Sequence, residues 1–150
     1  VKLTEHFSLE ELTFSEIAER NGWDNTPNDH ELENLKRLAE FLEEVKQTLG
    51  GKPIIVSSGF RSKQTNDGVG SRDSSQHRVG AAVDFRVPEL TPDQVVRTII
   101  ASSLAYDQVI REFASPTGGG WTHISIPNTP QLTPRKQALI IDKSGTRAFS

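Results

Sequence analysis

The chain has 150 residues, 34% hydrophobic and 25% charged. A chain of this size buries about two-thirds of the surface it exposes when unfolded, so we expect a single domain over 1–150 with a core of its own. The formal net charge is -3 and the 17 basic residues are scattered, which argues against nucleic acid or anionic lipid as a partner and gives no reason to expect more than a monomer. No apolar run reaches the length of a membrane span, and Val1 to Ser8 lack the basic and apolar regions of a secretory signal. Cysteine is absent, so disulfides and thiolate ligation are excluded, and any metal must be held by nitrogen and oxygen.

Ser8 and Glu11 are spaced as a capping box, with Phe7 and Leu12 at the hydrophobic-staple positions. They predict a helix from Leu9 to near Asn21 and Gly22. After Asn28 or Asp29, the leucines at 32, 35, 38 and 42, then Val45 and Leu49, repeat at helical spacing until Gly50-Gly51. A third helix begins at Thr91-Pro92-Asp93-Gln94, where a capping box meets proline at the first helical position, and Val95, Val96, Ile99 and Ile100 form its apolar face.

Elsewhere the period falls to two and β-branched residues gather, predicting strands at 54–57, 82–87, 107–113, 121–126 and 138–141. Residues 114–120, ending in three glycines, suit a hairpin rather than a crossover, so the sheet should be largely antiparallel. The class is therefore α+β, with about five short strands. Residues 60–76 have no clear period, a place where functional loops are found.

The chemistry concentrates in Ser-Gln-His-Arg-Val-Gly-Ala-Ala-Val-Asp, at 75–84, and Trp-Thr-His-Ile-Ser, at 121–125. His77, Asp84 and His123 supply two imidazoles and a carboxylate, the ligand count of a catalytic zinc site with an open fourth position. Strand alternation sends Val83, Phe85, Ile124 and Ile126 one way and Asp84 and His123 the other, so both ligands can share a polar face. Gly80, Ala81 and Ala82 keep bulk out of the turn between His77 and Asp84. His6 and His30 stand at helix boundaries without an acidic partner pattern, and we read them as structural or solvated.

These motifs, with Ser-Gly-Phe-Arg-Ser at 58–62 and Asp-Gln-Val-Ile-x-Glu-Phe at 107–113, resemble the zinc D,D-carboxypeptidases and phage endolysin peptidases of peptidase family M15. The resemblance extends through the N-terminal helices and fades beyond about Asn128. It implies the hedgehog/DD-peptidase fold, an antiparallel sheet with helices packed on one side, with Zn2+ on His77, Asp84 and His123. It also implies Arg61 near the substrate carbonyl and the peptide stem of peptidoglycan as substrate. An always-protonated guanidinium suits the negative charge that amide hydrolysis builds on the carbonyl oxygen. Ser75 is expected to bind substrate, or else to cap a turn.

Several members carry an acidic residue three positions before the second histidine, and one branch a histidine two before it; this chain has Gly120 and Trp121 there. Glu112 is the candidate general base, because the hairpin should return it beside Thr122 or His123, with Asp107, Asp67 and Asp73 as weaker alternatives. The resemblance implies a phage endolysin or virion-associated lysin, held in the host cytoplasm before release to the wall or carried in the virion. It would cut either the L-alanyl-D-glutamate bond or the terminal D-Ala-D-Ala bond. A catalytically silent, zinc-stabilised wall-binding or virion domain is the competing expectation, kept open by Gly120 and because fold alone does not decide function.

Overall fold

The computed structural model describes all 150 residues. Its helices are α1 (Leu9–Thr13), α2 (Glu16–Asn21), α3 (Asp29–Thr48), α4 (Lys63–Gly68) and α5 (Pro92–Ile100). The strands are β1 (Ile55–Ser58), β2 (Ala82–Arg86), β3 (Gln108–Glu112), β4 (Trp121–Ser125), β5 (Gln137–Asp142) and β6 (Gly145–Ala148). The sheet runs in the order β1-β2-β4-β3-β5-β6, antiparallel throughout except for the parallel pair β3 and β5.

The α+β class stands, with six strands where about five were expected. β6 escaped the sequence reading because Gly-Thr-Arg-Ala has no apolar alternation: it is an edge strand exposed along its length, held by its hairpin with β5. The N-terminal helix also differs, breaking into two. Ser8 and Glu11 do form the capping box of α1, but Phe14 is extended and Ser15 starts α2 by accepting a hydrogen bond from Ala18 N–H. The aperiodic segment 60–76 contains α4 and leads into a 3-10 turn, Gln76–Val79.

The long helices build the layer on one side. Asn28 and Glu31 cap α3, whose Leu35, Leu38, Leu42 and Val45 meet Val95, Val96 and Ile99 of α5 and Val83, Phe85, Val109 and Ile124 of the sheet in one core. Burying each of these side chains contributes roughly 1.5–3 kcal/mol before chain entropy is charged against it. Arg111 lies on this face too, its Nη1 donating to Asp93 Oδ1 at 2.7 Å and so tying β3 to the first turn of α5. No helix is long and apolar enough to cross a membrane.

Candidate metal centre

A period of two that buries Val83, Phe85 and Ile124 must turn Asp84 and His123 to the opposite face. Antiparallel pairing of β2 with β4 then sets Asp84 directly opposite His123. Asp84 Oδ1 is 2.9 Å from His123 Nδ1. The third member comes from the 3-10 turn, where the Ser75 hydroxyl accepts from His77 N–H at 3.3 Å and Gly80, at φ 78°, closes the turn. Gly80 has no alternative there, since a Cβ would stand 2.8 Å from the Glu31 carbonyl oxygen. His77 Nε2 thereby reaches within 3.3 Å of Asp84 Oδ1. One ligand atom from each residue falls within 4.8 Å of the others, and all three residues are buried.

The hydrogen bonding around His77 suits this trio to a cation. His77 Nδ1 lies 2.7 Å from the Gly59 carbonyl oxygen, which can only accept, so Nδ1 carries the proton. Burial pushes the His77 pKa down, so its ring is neutral and Nε2 presents a lone pair. Burial alone would raise the Asp84 carboxyl, yet it stands well below the usual carboxylate range, because positive charge at the His77 and His123 nitrogens, whether a ring proton or a metal in its place, favours the ionised form. A lone pair thus faces a carboxylate oxygen across 3.3 Å, an arrangement that repels unless a cation lies between. Tetrahedral zinc, with bonds of about 2.0–2.2 Å, needs ligand atoms roughly 3.3–3.5 Å apart, and the residues present fit it. The Gly59 bond also orients the ring as an outer-shell partner does at metal sites.

Two ionic groups flank the trio. On the β1 side, Arg61 Nη2 is 3.9 Å from Asp84 Oδ2, while its Nε donates to Ser58 Oγ and its Nη1 to Asn66 Oδ1, both at 3.3 Å. Burial lowers the guanidinium pKa, opposed by Asp84 and Glu112, but arginine stays protonated. On the β3 side, Glu112 Oε1 is 3.8 Å from His123 Nδ1. Burial first, then the Asp84 charge, raise the Glu112 pKa above the ordinary glutamate range.

The alternatives to Glu112 are engaged elsewhere. Asp107 is held by Arg135, at 2.6 Å from Nη2, while Asp67 and Asp73 pair with Lys63 on the surface. Of the remaining histidines, His6 does have an acidic partner, its Nδ1 lying 2.7 Å from Glu43 Oε1, and His30 is exposed at the start of α3. Ser75 is half-buried, with its hydroxyl engaged in capping the turn that carries His77.

Three residues at the site were missed in the sequence. Gly59, whose carbonyl fixes the His77 ring, packs so closely on α1 that a Cβ would lie 2.3 Å from the Leu12 carbonyl oxygen. Asn25 donates to the Phe60 carbonyl at 3.0 Å and accepts from Ser62 N–H at 2.8 Å, gripping the backbone on both sides of Arg61. Asn66 is fully buried, donates to the Arg72 carbonyl at 2.9 Å and spends its own oxygen on the guanidinium. Gly59 lies within Ser-Gly-Phe-Arg-Ser and Asn25 within Asn-Thr-Pro, motifs that assign neither a role, and the signal for Asn66 was the density of polar residues in 58–76.

The hairpin explains Gly120. Its φ is 58° and a Cβ would stand 2.1 Å from the Glu112 carbonyl oxygen, so this turn admits no side chain there. The carboxylate beside His123 comes instead from Glu112, the cross-strand partner of Trp121.

An α+β sheet presenting an imidazole-carboxylate-imidazole trio, with a guanidinium and a carboxylate on its flanks, has the makings of a metal-dependent hydrolase. The family described as peptidase M15, whose members depend on zinc, matches residues 5–125, and the chain belongs to that family. No curated protein matches the chain in sequence.

Proposed function

We propose that the protein is a zinc peptidase that hydrolyses the peptide stem of bacterial peptidoglycan, acting as a phage endolysin or virion-associated lysin. The observation that carries the metal chemistry is the His77 lone pair turned onto the Asp84 carboxylate in a buried trio. Zinc held by His77, Asp84 and His123 would polarise the scissile carbonyl and lower the pKa of the attacking water. The remaining work falls to the chain. Glu112, with its raised pKa, takes the proton of the water and returns it to the leaving amine. Arg61 faces the charge that develops on the carbonyl oxygen, held in place before the reaction starts. Ser75 sits beside His77, where a backbone N–H of the substrate could share its hydroxyl oxygen.

The peptidoglycan assignment draws on the family and on motif resemblance. Its test is incubation of the purified protein with peptidoglycan, with and without a chelator, and mass spectrometry of the new peptide ends. We expect chelator-sensitive ends at a single bond type. Stoichiometric zinc without new ends would favour the silent wall-binding or virion domain, a reading that loses its main support with Glu112 standing in for an acid at 120.

A further inference from the structure

The β3-β4 hairpin carries an aromatic pair that hydrolysis itself does not require. Phe113 follows Glu112 directly and is 49% exposed, with its φ at 51°. A bulky side chain in the left-handed region is a strained outlier, and such strain concentrates at functional sites. The strained backbone is pinned, because Phe113 N–H donates to the Ile141 carbonyl at 2.8 Å. Its ring lies against Trp121, with centroids 5.5 Å apart and planes inclined by 31°. Trp121 is the cross-strand partner of Glu112 and precedes His123 by two residues. It therefore shares the face of the metal ligand, at about 7 Å along the strand. Arg86, exposed at the end of β2, reaches the same hairpin, its Nε donating to the Gly120 carbonyl at 2.9 Å.

We propose that Phe113 and Trp121 form a stacking subsite for a sugar ring, the muramyl residue to which the stem peptide is attached. This rests on the peptidoglycan reading above and narrows it. The first stem residues, alanine and glutamate, offer no large apolar side chain to cover an exposed phenylalanine. The pyranose does, since its C–H groups carry the partial positive charge that the negative face of an aromatic ring attracts. The Arg86 guanidinium supplies hydrogen-bond donors at the rim for sugar hydroxyls. Reach selects the bond. With the L-alanyl-D-glutamate amide at the metal, one alanine and the lactyl link separate it from the ring, on the order of 7 Å. The terminal D-Ala-D-Ala amide would put the sugar roughly 10 Å further away. The subsite therefore directs cleavage to the bond nearest the glycan.

The test uses two probes, an N-acetylmuramyl stem tetrapeptide and the same peptide carrying acetyl in place of the sugar. Binding is followed in chelator by NMR of the Trp121 indole, with Trp23 as the internal control. Phe113→Gly is the variant, because glycine accepts the positive φ and removes only the ring. The muramyl probe should shift the Trp121 resonance and bind about tenfold tighter than the acetyl probe, and Phe113→Gly should abolish that difference while the unchanged Trp23 resonance shows that the fold is kept. Equal binding of the two probes, or a Phe113→Gly variant that keeps the preference, overturns the subsite. Cleavage of both probes with metal restored is scored separately: failure of turnover with the binding preference intact counts against the peptidase reading and leaves the sugar subsite standing.

Discussion

The two flanks of the metal trio are built in opposite ways. On the β1 side, Arg61 is mostly buried and held by four residues: Ser58 and Asn66 take its head group, the His77 carbonyl takes its N–H, and Asn25 grips the backbone of Phe60 and Ser62 on either side. On the β3 side, Glu112 sits on a hairpin with a glycine turn, beside a strained and exposed phenylalanine, with no hydrogen-bonded brace comparable to that of Arg61. Each construction suits its task. A cation that stabilises developing charge gains by being fixed in advance, because reorganisation would cost part of its effect. A proton carrier must instead have a pKa near working pH and meet both water and leaving group, which favours a partly desolvated carboxylate with few permanent donors.

The largest effect should come from the element both flanks serve. We predict that Asp84→Ala loses stoichiometric zinc and all measurable turnover, since it removes the central ligand and leaves two neutral imidazoles. Metal analysis of the purified variant checks this, and retained stoichiometric zinc would remove the trio from the account. Wild-type zinc should also be released in mild acid, because the imidazoles must be neutral to bind it.

Next comes the open flank. Glu112→Gln should keep zinc and fold but lose about 10²- to 10⁴-fold in turnover. Glu112 works as a base only when ionised, so wild-type activity should be present above its pKa and fall as pH drops through it; burial raises that pKa and bound zinc would oppose the rise. With zinc occupancy followed at each pH, the part of that limb not due to metal loss should vanish in Glu112→Gln. Adding Gly120→Glu, which puts an acid three positions before His123, should not rescue it, because a side chain at 120 collides with the Glu112 backbone. A rescued double variant would show that the hairpin adjusts and that Gly120 is not what excludes the acid.

On the braced flank, Arg61→Lys should hold zinc and melting temperature while losing about 10²- to 10³-fold in turnover, the scale of one lost oxyanion donor. Lysine keeps the charge but cannot span Ser58, Asn66 and Asp84 with a planar fork. Near-normal turnover would remove Arg61 from the mechanism.

The same contrast explains what was legible in the sequence. The caps of α1, α3 and α5 and the inward phase of β2 and β4 follow from spacing within a few residues, which a periodic reading captures, while His77, Asp84 and His123 stand out as ligands through the motifs around them, which resemble those of the family. The hairpin that returns Glu112 to His123 is also local, and it could be expected from the run 114–120. The braces are not local. Asn25 reaches Ser62 across 37 positions, His6 reaches Glu43 across the same span, and Gly59 is defined by its contact with Leu12. An asparagine in a polar loop looks alike whether it is solvated or fully buried, and only the packing of α2 and α4 beside the site tells the two apart.

The smallest predicted effect is the one that tests the brace itself. Asn66 is fully buried and makes no hydrogen bond to the trio; its oxygen holds Arg61 and its amide ties down the Arg72 carbonyl. If it acts through Arg61, Asn66→Ala should cost turnover by letting the guanidinium drift, and misplacement of about 1 Å can cost up to 10²-fold. We expect about tenfold, carried in kcat rather than KM, since the loss belongs to the transition state. A destabilised loop could lower activity for a different reason, so the decisive measurement is a double-mutant cycle. In the Arg61→Lys background the guanidinium is already gone, and Asn66→Ala should then cost less than about twofold, because residues that act as a unit are not additive. Full additivity, with the same tenfold loss in both backgrounds, would reduce Asn66 to a structural clamp on the 71–72 turn and leave the rigid flank resting on Ser58 and Asn25.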